Sequence, residues 1–311
     1  MDHPPLVPWL ARLSDTLFGP WLPGLRLSAT IAGAATVFLT ATLARRLGGG
    51  RLAQLLAGLG VVVAPVYLRT GNLFCIPAFE PLVWVVAAHL LVTIVTEDRP
   101  RYWLWFGLVA GVGLLLKHST FLLGFGVLVA LLATPARRHL RSPWLYAGGA
   151  VALLVFLPNL IWQVGHAWPT VEFLRALNAQ VTTGIPAWLF LLGQVLYLNP
   201  VTPPLWLLGL LFFFRPAGRP WRVLGWVYMA VLVLLVFTKS KIYYLAPAYP
   251  ALLAGGAVAL EKWAGAGRAR LVGAVSVGLL LAGGVLVAPL SLPILSIKAT
   301  DRYVRAFTFG A

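Results

Sequence analysis

The segment Lys239-Ser240-Lys241-Ile242-Tyr243-Tyr244 places two ammonium groups and two phenols between long apolar runs. Lysines beside free backbone N–H groups at the start of a helix bind anions, and tyrosines donate hydrogen bonds to phosphate or stack on a sugar. Tyrosines also belong in the headgroup region of membrane proteins without any ligand. The topology derived below puts both lysines on the outer side of a membrane, against the usual charge bias. We therefore favour a site for an anionic lipid headgroup.

Glu80 is one of eight acidic residues and lies in the apolar sequence 74–81, at the predicted start of a helix. A carboxylate in such surroundings can act as a base, orient a sugar hydroxyl or coordinate a metal ion. Alternatively, Glu80 only stabilises the helix start, with Pro81 at the first helical position and the negative charge near the positive end of the helix dipole. The residue types alone leave both interpretations open.

Lys117 and His118 end one apolar segment, and we expect Ser119 to cap the helix that follows, so the three residues form a sharp outer turn. A lysine that extends its ammonium group toward the membrane surface beside an interfacial histidine needs no ligand. The functional alternative is a contact with a phosphate group. Without an identified partner, the first interpretation is the simpler one.

Asp2 and His3 precede a double proline near the N-terminus, and His166 lies in an apolar connector farther along the chain. Together with Glu80, these side chains are candidates for a divalent metal site or for contacts with an acceptor. Their positions follow no recognised spacing of metal ligands, so the identity of a metal, and its presence, stay open.

Composition places these residues on apolar helices of an integral membrane protein. Sixty percent of the residues are apolar, 10% are charged and the mean hydropathy is +0.88, whereas soluble domains contain about 25% charged residues. The net charge of +16 would suit nucleic acid in a soluble protein. Here the cations lie in short connectors between apolar runs, so we expect no nucleic-acid partner. The sequence contains no phosphate-binding loop or dinucleotide fingerprint, which argues against nucleotide hydrolysis and hydride transfer.

About ten apolar segments approach the roughly 20 residues that cross the hydrocarbon core as a helix. They are residues 25–44, 52–68, 80–96, 102–116, 119–134, 144–163, 187–214, 222–237, 243–260 and 270–290. Asn199-Pro200 and Pro203-Pro204 interrupt the seventh segment, where we expect the helix to break. We assign residues 1–311 to one membrane domain, with an outer N-terminal segment (1–24), spans (25–290) and an outer C-terminal tail (291–311).

Basic residues predict the orientation of these spans. With ten spans, every second connector is rich in Arg or Lys, namely 45–51, 99–101, 137–141, 215–222 and 262–270. Such connectors stay on the cytoplasmic side, so Glu80, Lys117 and Lys239 are predicted to face outward. In the longest outer loop, we expect residues 170–180 to form a short helix on the membrane surface.

Six strings along the chain resemble, in family order, bacterial members of glycosyltransferase family 39, which includes relatives of dolichyl-phosphate-mannose protein mannosyltransferases and lipid A aminoarabinose transferases. Singly each string is weakly specific, but the ordered set extends over nearly the whole chain. The strings are Asp2-His3-Pro4-Pro5-Leu6, Ala78-Phe79-Glu80-Pro81, the stretch 113–119, Leu157-Pro158-Asn159 with Trp162-Gln163, Asn199-Pro200 with Pro203, and the stretch 239–250.

The resemblance implies an all-α membrane glycosyltransferase of the GT-C type, with short outer-loop helices and a polyprenyl-phosphate sugar as donor. The donor phosphate would lie near the basic and aromatic residues Lys117, Lys239, Lys241, Tyr243 and Tyr244. Glu80 and Asp2 resemble the acidic residues of the second and first outer loops, and His3, His118 and His166 remain candidates for acceptor or metal contacts. Family members usually begin with a further transmembrane helix and a loop bearing an acidic pair, and we expect this chain to begin after both.

The leading hypothesis is an inverting transfer of a sugar from a polyprenyl phosphate to a lipid or glycan acceptor. The transfer would take place at the outer face of the bacterial inner membrane. Because phosphate is already a good leaving group, the protein mainly has to position the reactants and stabilise charge. The alternative is a non-enzymatic binder or transporter of polyprenyl phosphates, or an inactive fragment of the transferase. That alternative needs the same cationic site but no carboxylate.

Overall fold

The computed structural model describes residues 3–172, 175 and 184–307, in which all regular structure is helical. Long apolar stretches and the absence of alternating patterns favour helices that satisfy their own backbone groups, as a membrane requires. The α-helices are α1 (Leu6–Phe18), α2 (Leu22–Arg46), α3 (Arg51–Val62), α4 (Pro65–Asn72), α5 (Glu80–Thr96), α6 (Trp103–Leu116), α7 (Phe121–Ala133), α8 (Pro143–Gly165), α9 (Ala187–Leu198), α10 (Pro203–Phe214), α11 (Arg222–Phe237), α12 (Tyr249–Ser291) and α13 (Ile297–Phe307).

Short 3-10 helices form many of the connections between these α-helices. Proline occurs in most of them and at the start of several α-helices, where its missing N–H is not needed. The 3-10 helices are Ile76–Ala78, Pro100–Tyr102, His118–Thr120, Pro135–Arg141, Pro216–Trp221 and Ile242–Ala248.

The protein is a multi-pass membrane protein, as its composition predicts. Five helical segments are long and apolar enough to cross a membrane, and the number rises to eight if each bent helix pair is one span. The five are Leu22–Arg46, Ile76–Thr96, Pro143–Gly165, Pro216–Phe237 and Ile242–Ser291, and the pairs are α3 with α4, α7 with Pro135–Arg141, and α9 with α10.

The ten predicted segments are all largely helical, but the breaks between them differ from the prediction in part. The expected break in 187–214 is confirmed, since α9 and α10 meet at an angle of 111° beside Asn199, which has a φ of 85°. The last two predicted spans are two helical segments of α12 that meet at a kink at Gly265, whose φ of 57° suits glycine, so the predicted division between them is present as a kink inside α12. The 14-residue helix α6 is shorter than a usual span. The number of spans therefore stays a prediction.

Glycines allow the helices of the bundle to pack closely. A Cβ atom on Gly256 of α12 would lie 1.7 Å from the Leu205 carbonyl oxygen of α10, and one on Gly107 of α6 would lie 1.9 Å from the Gly148 carbonyl oxygen of α8. Small residues are what membrane helices use to bring backbones together, because lipid offers no hydrophobic driving force for association.

The arginine-rich connectors lie together at one end of the bundle. Arg46 pairs with Glu97, joining the ends of α2 and α5, and Arg138 bonds to Asp98 at 2.9 Å. Glu261 of α12 accepts hydrogen bonds from backbone N–H groups at the start of α3. The structure thus groups the connectors as the charge pattern predicts, and the side of the membrane that they face stays a prediction.

Some local predictions need correction. The helix expected to start near Tyr243 is a 3-10 helix up to Ala248, because Pro247 disfavours α-helical geometry in the residue before it. The α-helix begins at Tyr249, with Pro250 in its first turn, where the missing N–H is not needed. Of the surface helix predicted over 170–180, residues 170–172 and 175 are helical and the others lie outside the described residues. The outer N-terminal and C-terminal segments contain the helices α1 and α13, which were not predicted.

Candidate active site

Glu80 is the centre of a buried polar cluster at the end of the bundle opposite the arginine-rich connectors. Its Oε2 atom lies 2.9 Å from the Lys117 Nζ atom, and its Oε1 atom accepts a hydrogen bond of 2.5 Å from the Ser119 hydroxyl. The Glu80 and Lys117 side chains are only 7% and 12% exposed. An ion pair removed from water to this extent needs its remaining hydrogen bonds satisfied, and Ser119 supplies one of them.

The chain geometry around α6 brings Lys117 to Glu80. Lys117 follows the last residue of α6 in an extended conformation (φ −162°, ψ 138°), which turns its side chain away from the helix axis. Gly113, one turn earlier, leaves room for the approach, since a Cβ atom there would lie 2.7 Å from Thr120 and 2.9 Å from Val83 of α5. The turn predicted at Lys117-His118-Ser119 is therefore also the contact between α6, α7 and α5.

Ser119 does not cap the following helix, contrary to the prediction. Neither the 3-10 helix His118–Thr120 nor α7 has a side-chain cap, and the Ser119 hydroxyl donates to Glu80 instead. A buried carboxylate is a stronger acceptor than the alternatives, because hydrogen bonds to ionised groups are about twice as strong as neutral ones. The interpretation of Lys117 as a lysine extended to the membrane surface is also wrong, since its ammonium group is buried against Glu80.

Tyr243 and Tyr244 surround the same ammonium group. The Lys117 Nζ atom lies 5.1 Å from the ring centroid of Tyr243 and 4.4 Å from that of Tyr244, and the two rings pack edge to face. These distances fall within the range of cation–π attraction. Residues far apart in the sequence thus form one cluster, in which Glu80 and the two tyrosines hold Lys117.

A cavity of about 700 Å³ opens beside this cluster, with Glu80 and Tyr243 in its wall. Its lining is mostly apolar, which suits a lipid-linked ligand, and it has few polar groups. Arg69, at the end of α4, also lines the cavity and adds a positive charge that the sequence analysis missed. The signal for Arg69 was present, because an arginine at the outer end of a predicted span is unusual. It was overlooked because the predicted span 52–68 ended one residue before it.

Lys239 and Lys241 are exposed, and neither is among the residues that line the cavity. Lys239 has a left-handed backbone (φ 48°), and its carbonyl oxygen accepts a hydrogen bond from the Ile185 N–H at 3.3 Å. The structure thus places Lys117, rather than these two lysines, against Tyr243 and Tyr244. A role for Lys239 and Lys241 in binding the donor phosphate stays a prediction.

Within the described residues, no hydrogen bond or ion pair joins His118 or His166 to Glu80. The His118 ring packs edge to face on Phe156, with His3 within electrostatic range. The His166 ring stacks on Trp162 at 4.4 Å, and its Nδ1 atom lies 2.8 Å from the Trp162 carbonyl oxygen.

Asp2 lies outside the described residues. Within the part of the chain that the structure describes, no group of three or more His, Cys, Asp or Glu side chains is placed to hold a metal ion. The candidate metal site therefore receives no support from these residues.

Cys75 lies just before the 3-10 helix that leads into α5, within electrostatic range of Glu80, Lys117 and Arg69. Burial raises the pKa of the Cys75 thiol above its usual value. A thiol with a raised pKa forms little thiolate near neutral pH, so Cys75 is a weak nucleophile and reports the environment of the site rather than taking part in chemistry.

Comparisons with known proteins agree with this architecture. The family model described as dolichyl-phosphate-mannose-protein mannosyltransferase matches residues 2–162. Two crystal structures of ArnT from Cupriavidus metallidurans have a similar fold, one in the apo state (TM-score 0.71) and one bound to undecaprenyl phosphate (TM-score 0.72). Each is 20% identical in sequence over 97% of this chain and 57% of the ArnT chain, so this chain spans about 57% of the length of the structures it matches. Curated proteins gave no sequence match.

Proposed function

The chain belongs to the dolichyl-phosphate-mannose-protein mannosyltransferase family, and we propose that it transfers a sugar from a polyprenyl-phosphate donor to a lipid or glycan acceptor. We place this reaction at the outer face of the bacterial inner membrane. The observation that carries the proposal is the buried Glu80–Lys117 pair beside a largely apolar cavity of about 700 Å³. A carboxylate, cations and room for a lipid chain are what such a transfer requires. One of the similar ArnT structures contains undecaprenyl phosphate, which is consistent with a donor of this class.

Cations and phenols around the cavity would hold the donor phosphate. Lys117 has two N–H donors left after its bond to Glu80, and the Arg69 guanidinium at the cavity wall can bind a phosphate through two parallel hydrogen bonds. Tyr243 and Tyr244 orient the ammonium group and can donate further hydrogen bonds. Lys239 and Lys241 are exposed and would attract the anionic donor rather than contact it in the cavity.

The reaction would be a single displacement at the anomeric carbon. An acceptor hydroxyl oxygen forms the new bond to that carbon while the bond to the phosphate oxygen breaks, and the electron pair leaves with the lipid phosphate. Glu80 would accept the hydroxyl proton, since its two oxygens have lone pairs beyond those used by Lys117 and Ser119. Asp2 is a second candidate for this role. His3 and His118 would contact the acceptor, and His166 is a weaker candidate because it packs against its own helix.

Measuring sugar transfer from a labelled undecaprenyl-phosphate donor by the full chain in lipid vesicles tests the proposal. We expect Glu80→Gln to abolish transfer and Glu172→Gln to retain it, since Glu172 is exposed and is not among the residues that line the cavity. The non-enzymatic alternative predicts donor binding without sugar release by the unmodified protein. Transfer by Glu80→Gln at the unmodified rate would remove Glu80 from the mechanism.

A further inference from the structure

A second cavity lies at the end of the bundle that carries the arginine-rich connectors. Its volume is about 400 Å³, and its walls come from the end of α5, the 3-10 helices Pro135–Arg141 and Pro216–Trp221, and the start of α11. Val95 in this wall follows Glu80 by fifteen residues on α5. At 1.5 Å per residue that places the two cavities about 22 Å apart along the helix. The cavity is therefore separate from the candidate active site.

Two arginines line this cavity. Arg219 is exposed at its mouth, and Arg222 is half-buried at the first position of α11. The Nη2 atom of Arg222 donates a long hydrogen bond of 3.4 Å to the Phe214 carbonyl oxygen, whereas its Nε atom is buried and none of the described residues accepts a hydrogen bond from it. The acceptor of Arg222 is thus a neutral carbonyl oxygen at long range, and an anionic acceptor would form a stronger hydrogen bond with the guanidinium group.

No carboxylate compensates these two guanidinium groups. Among the described residues, neither Arg219 nor Arg222 has a carboxylate oxygen within 4.0 Å. The acidic residues of this end have other partners: Glu97 pairs with Arg46 and Arg99, Asp98 with Arg138, and Glu261 with the backbone N–H groups of Gly50, Leu52 and Ala53. The bias of cations toward the cytoplasmic side explains why arginines occur here. It does not explain why two of them line one cavity with no carboxylate of the described residues within 4.0 Å of either.

We propose that this cavity binds a phosphate group, and that the group belongs to an anionic phospholipid headgroup. The planar guanidinium matches phosphate oxygens with paired N–H donors. Apolar and proline side chains, including Val95, Val223 and Pro216, form the remaining walls and suit the glycerol and acyl carbons next to a headgroup. Prolines fix the backbone on both sides, so the site is preformed and loses little entropy on binding.

Native mass spectrometry of the full chain in neutral detergent, titrated with phosphatidylglycerol, tests this proposal. Arg219→Gln should weaken the tightest binding of phosphatidylglycerol by about tenfold, as expected for one lost charge-assisted contact. Arg215→Gln is the matched control, because Arg215 is exposed in the same connector but does not line the cavity. It should bind phosphatidylglycerol like the unmodified protein, and phosphatidylcholine should bind all three proteins equally.

A second titration with inorganic phosphate at constant ionic strength separates a lipid from a soluble source. Binding of phosphate that depends on Arg219, with no such dependence for phosphatidylglycerol, would assign the site to a soluble phosphate and overturn the lipid assignment. An equal loss of phosphatidylglycerol affinity in Arg219→Gln and Arg215→Gln would show that binding depends on the general surface charge and not on this cavity. No loss in Arg219→Gln for either ligand would show that the cavity does not bind phosphate.

Discussion

Replacing Glu80 by glutamine should destabilise the protein in addition to stopping transfer, because it leaves the buried Lys117 ammonium group without a carboxylate. The Lys117 side chain is only 12% exposed. Removing one partner of a buried ion pair costs about 3–5 kcal/mol. Lys117 keeps the faces of Tyr243 and Tyr244 in both proteins, so these contacts do not alter the difference between them. We therefore expect a loss of about 3–5 kcal/mol in the free energy of unfolding.

A double variant separates this loss of stability from the loss of chemistry. Adding Lys117→Met to Glu80→Gln removes the ammonium group that Glu80→Gln leaves without a carboxylate, and it keeps an unbranched side chain that packs against Tyr243 and Tyr244. Replacing both members of a buried ion pair by uncharged groups is often close to neutral, so the double variant should unfold within about 1 kcal/mol of the original protein. Sugar transfer should stay abolished, because neither the carboxylate nor the ammonium group is present.

Unfolding in mixed micelles of rising SDS content, followed by the fluorescence of the 13 tryptophans, measures the stability of each variant. Release of labelled sugar from the donor measures the activity of the same samples. If Glu80→Gln unfolds like the original protein, the ion pair does not stabilise the cluster and the structural argument fails. A stable double variant that still transfers sugar would show that neither Glu80 nor Lys117 is part of the catalytic machinery.

Three further outcomes follow from the structure. Arg69→Gln should raise the inhibition constant of undecaprenyl phosphate, measured in competition with the sugar donor, by about tenfold. An unchanged inhibition constant would show that Arg69 does not contact the phosphate. Cys75 should react slowly with a membrane-impermeant maleimide added outside intact cells, and the reaction should become faster as the pH rises toward the raised pKa of the thiol. Labelling only after the cells are lysed would show that the orientation is opposite to the predicted one. Gly256→Val should lower the thermal midpoint strongly through the contact of α10 with α12. Gly278→Val, on the other side of the kink in α12, should not, because none of the described atoms lies within 4 Å of its Cβ position.

Much of the fold and part of the site could be predicted from the sequence, because hydropathy and charge act over whole segments. Apolar length locates the helices, and alternate arginine-rich connectors group the helix ends. Glu80, Lys117 and the pair Tyr243-Tyr244 were therefore assigned to one end of the bundle, where the structure brings them into contact. The break within residues 187–214 was predictable from local chemistry, because proline lacks the N–H group that a continuing helix needs.

The partners within the site could not be predicted, because they depend on contacts between distant parts of the chain. Ser119 was expected to cap its own helix and instead bonds to Glu80, 39 residues away. Arg69 reaches the cavity wall only because the chain bends by 64° between α3 and α4, near Pro65. A hydropathy window registers such a segment as one span and cannot detect a bend that turns its end toward a neighbouring helix.

The two interpretations of Glu80 left open by the sequence are compatible in the structure. Glu80 stands at the start of α5 with Pro81 behind it, so the helix dipole favours its negative charge, as the helix-start interpretation requires. Its side chain nevertheless bonds to Lys117 and Ser119 rather than to the N–H groups of its own helix. In the proposed reaction Lys117 then holds the Glu80 carboxylate, which accepts the hydroxyl proton, and, through its remaining N–H donors, the leaving phosphate. Attack and departure are thereby linked to a single ammonium group, which Tyr243 and Tyr244 keep in position.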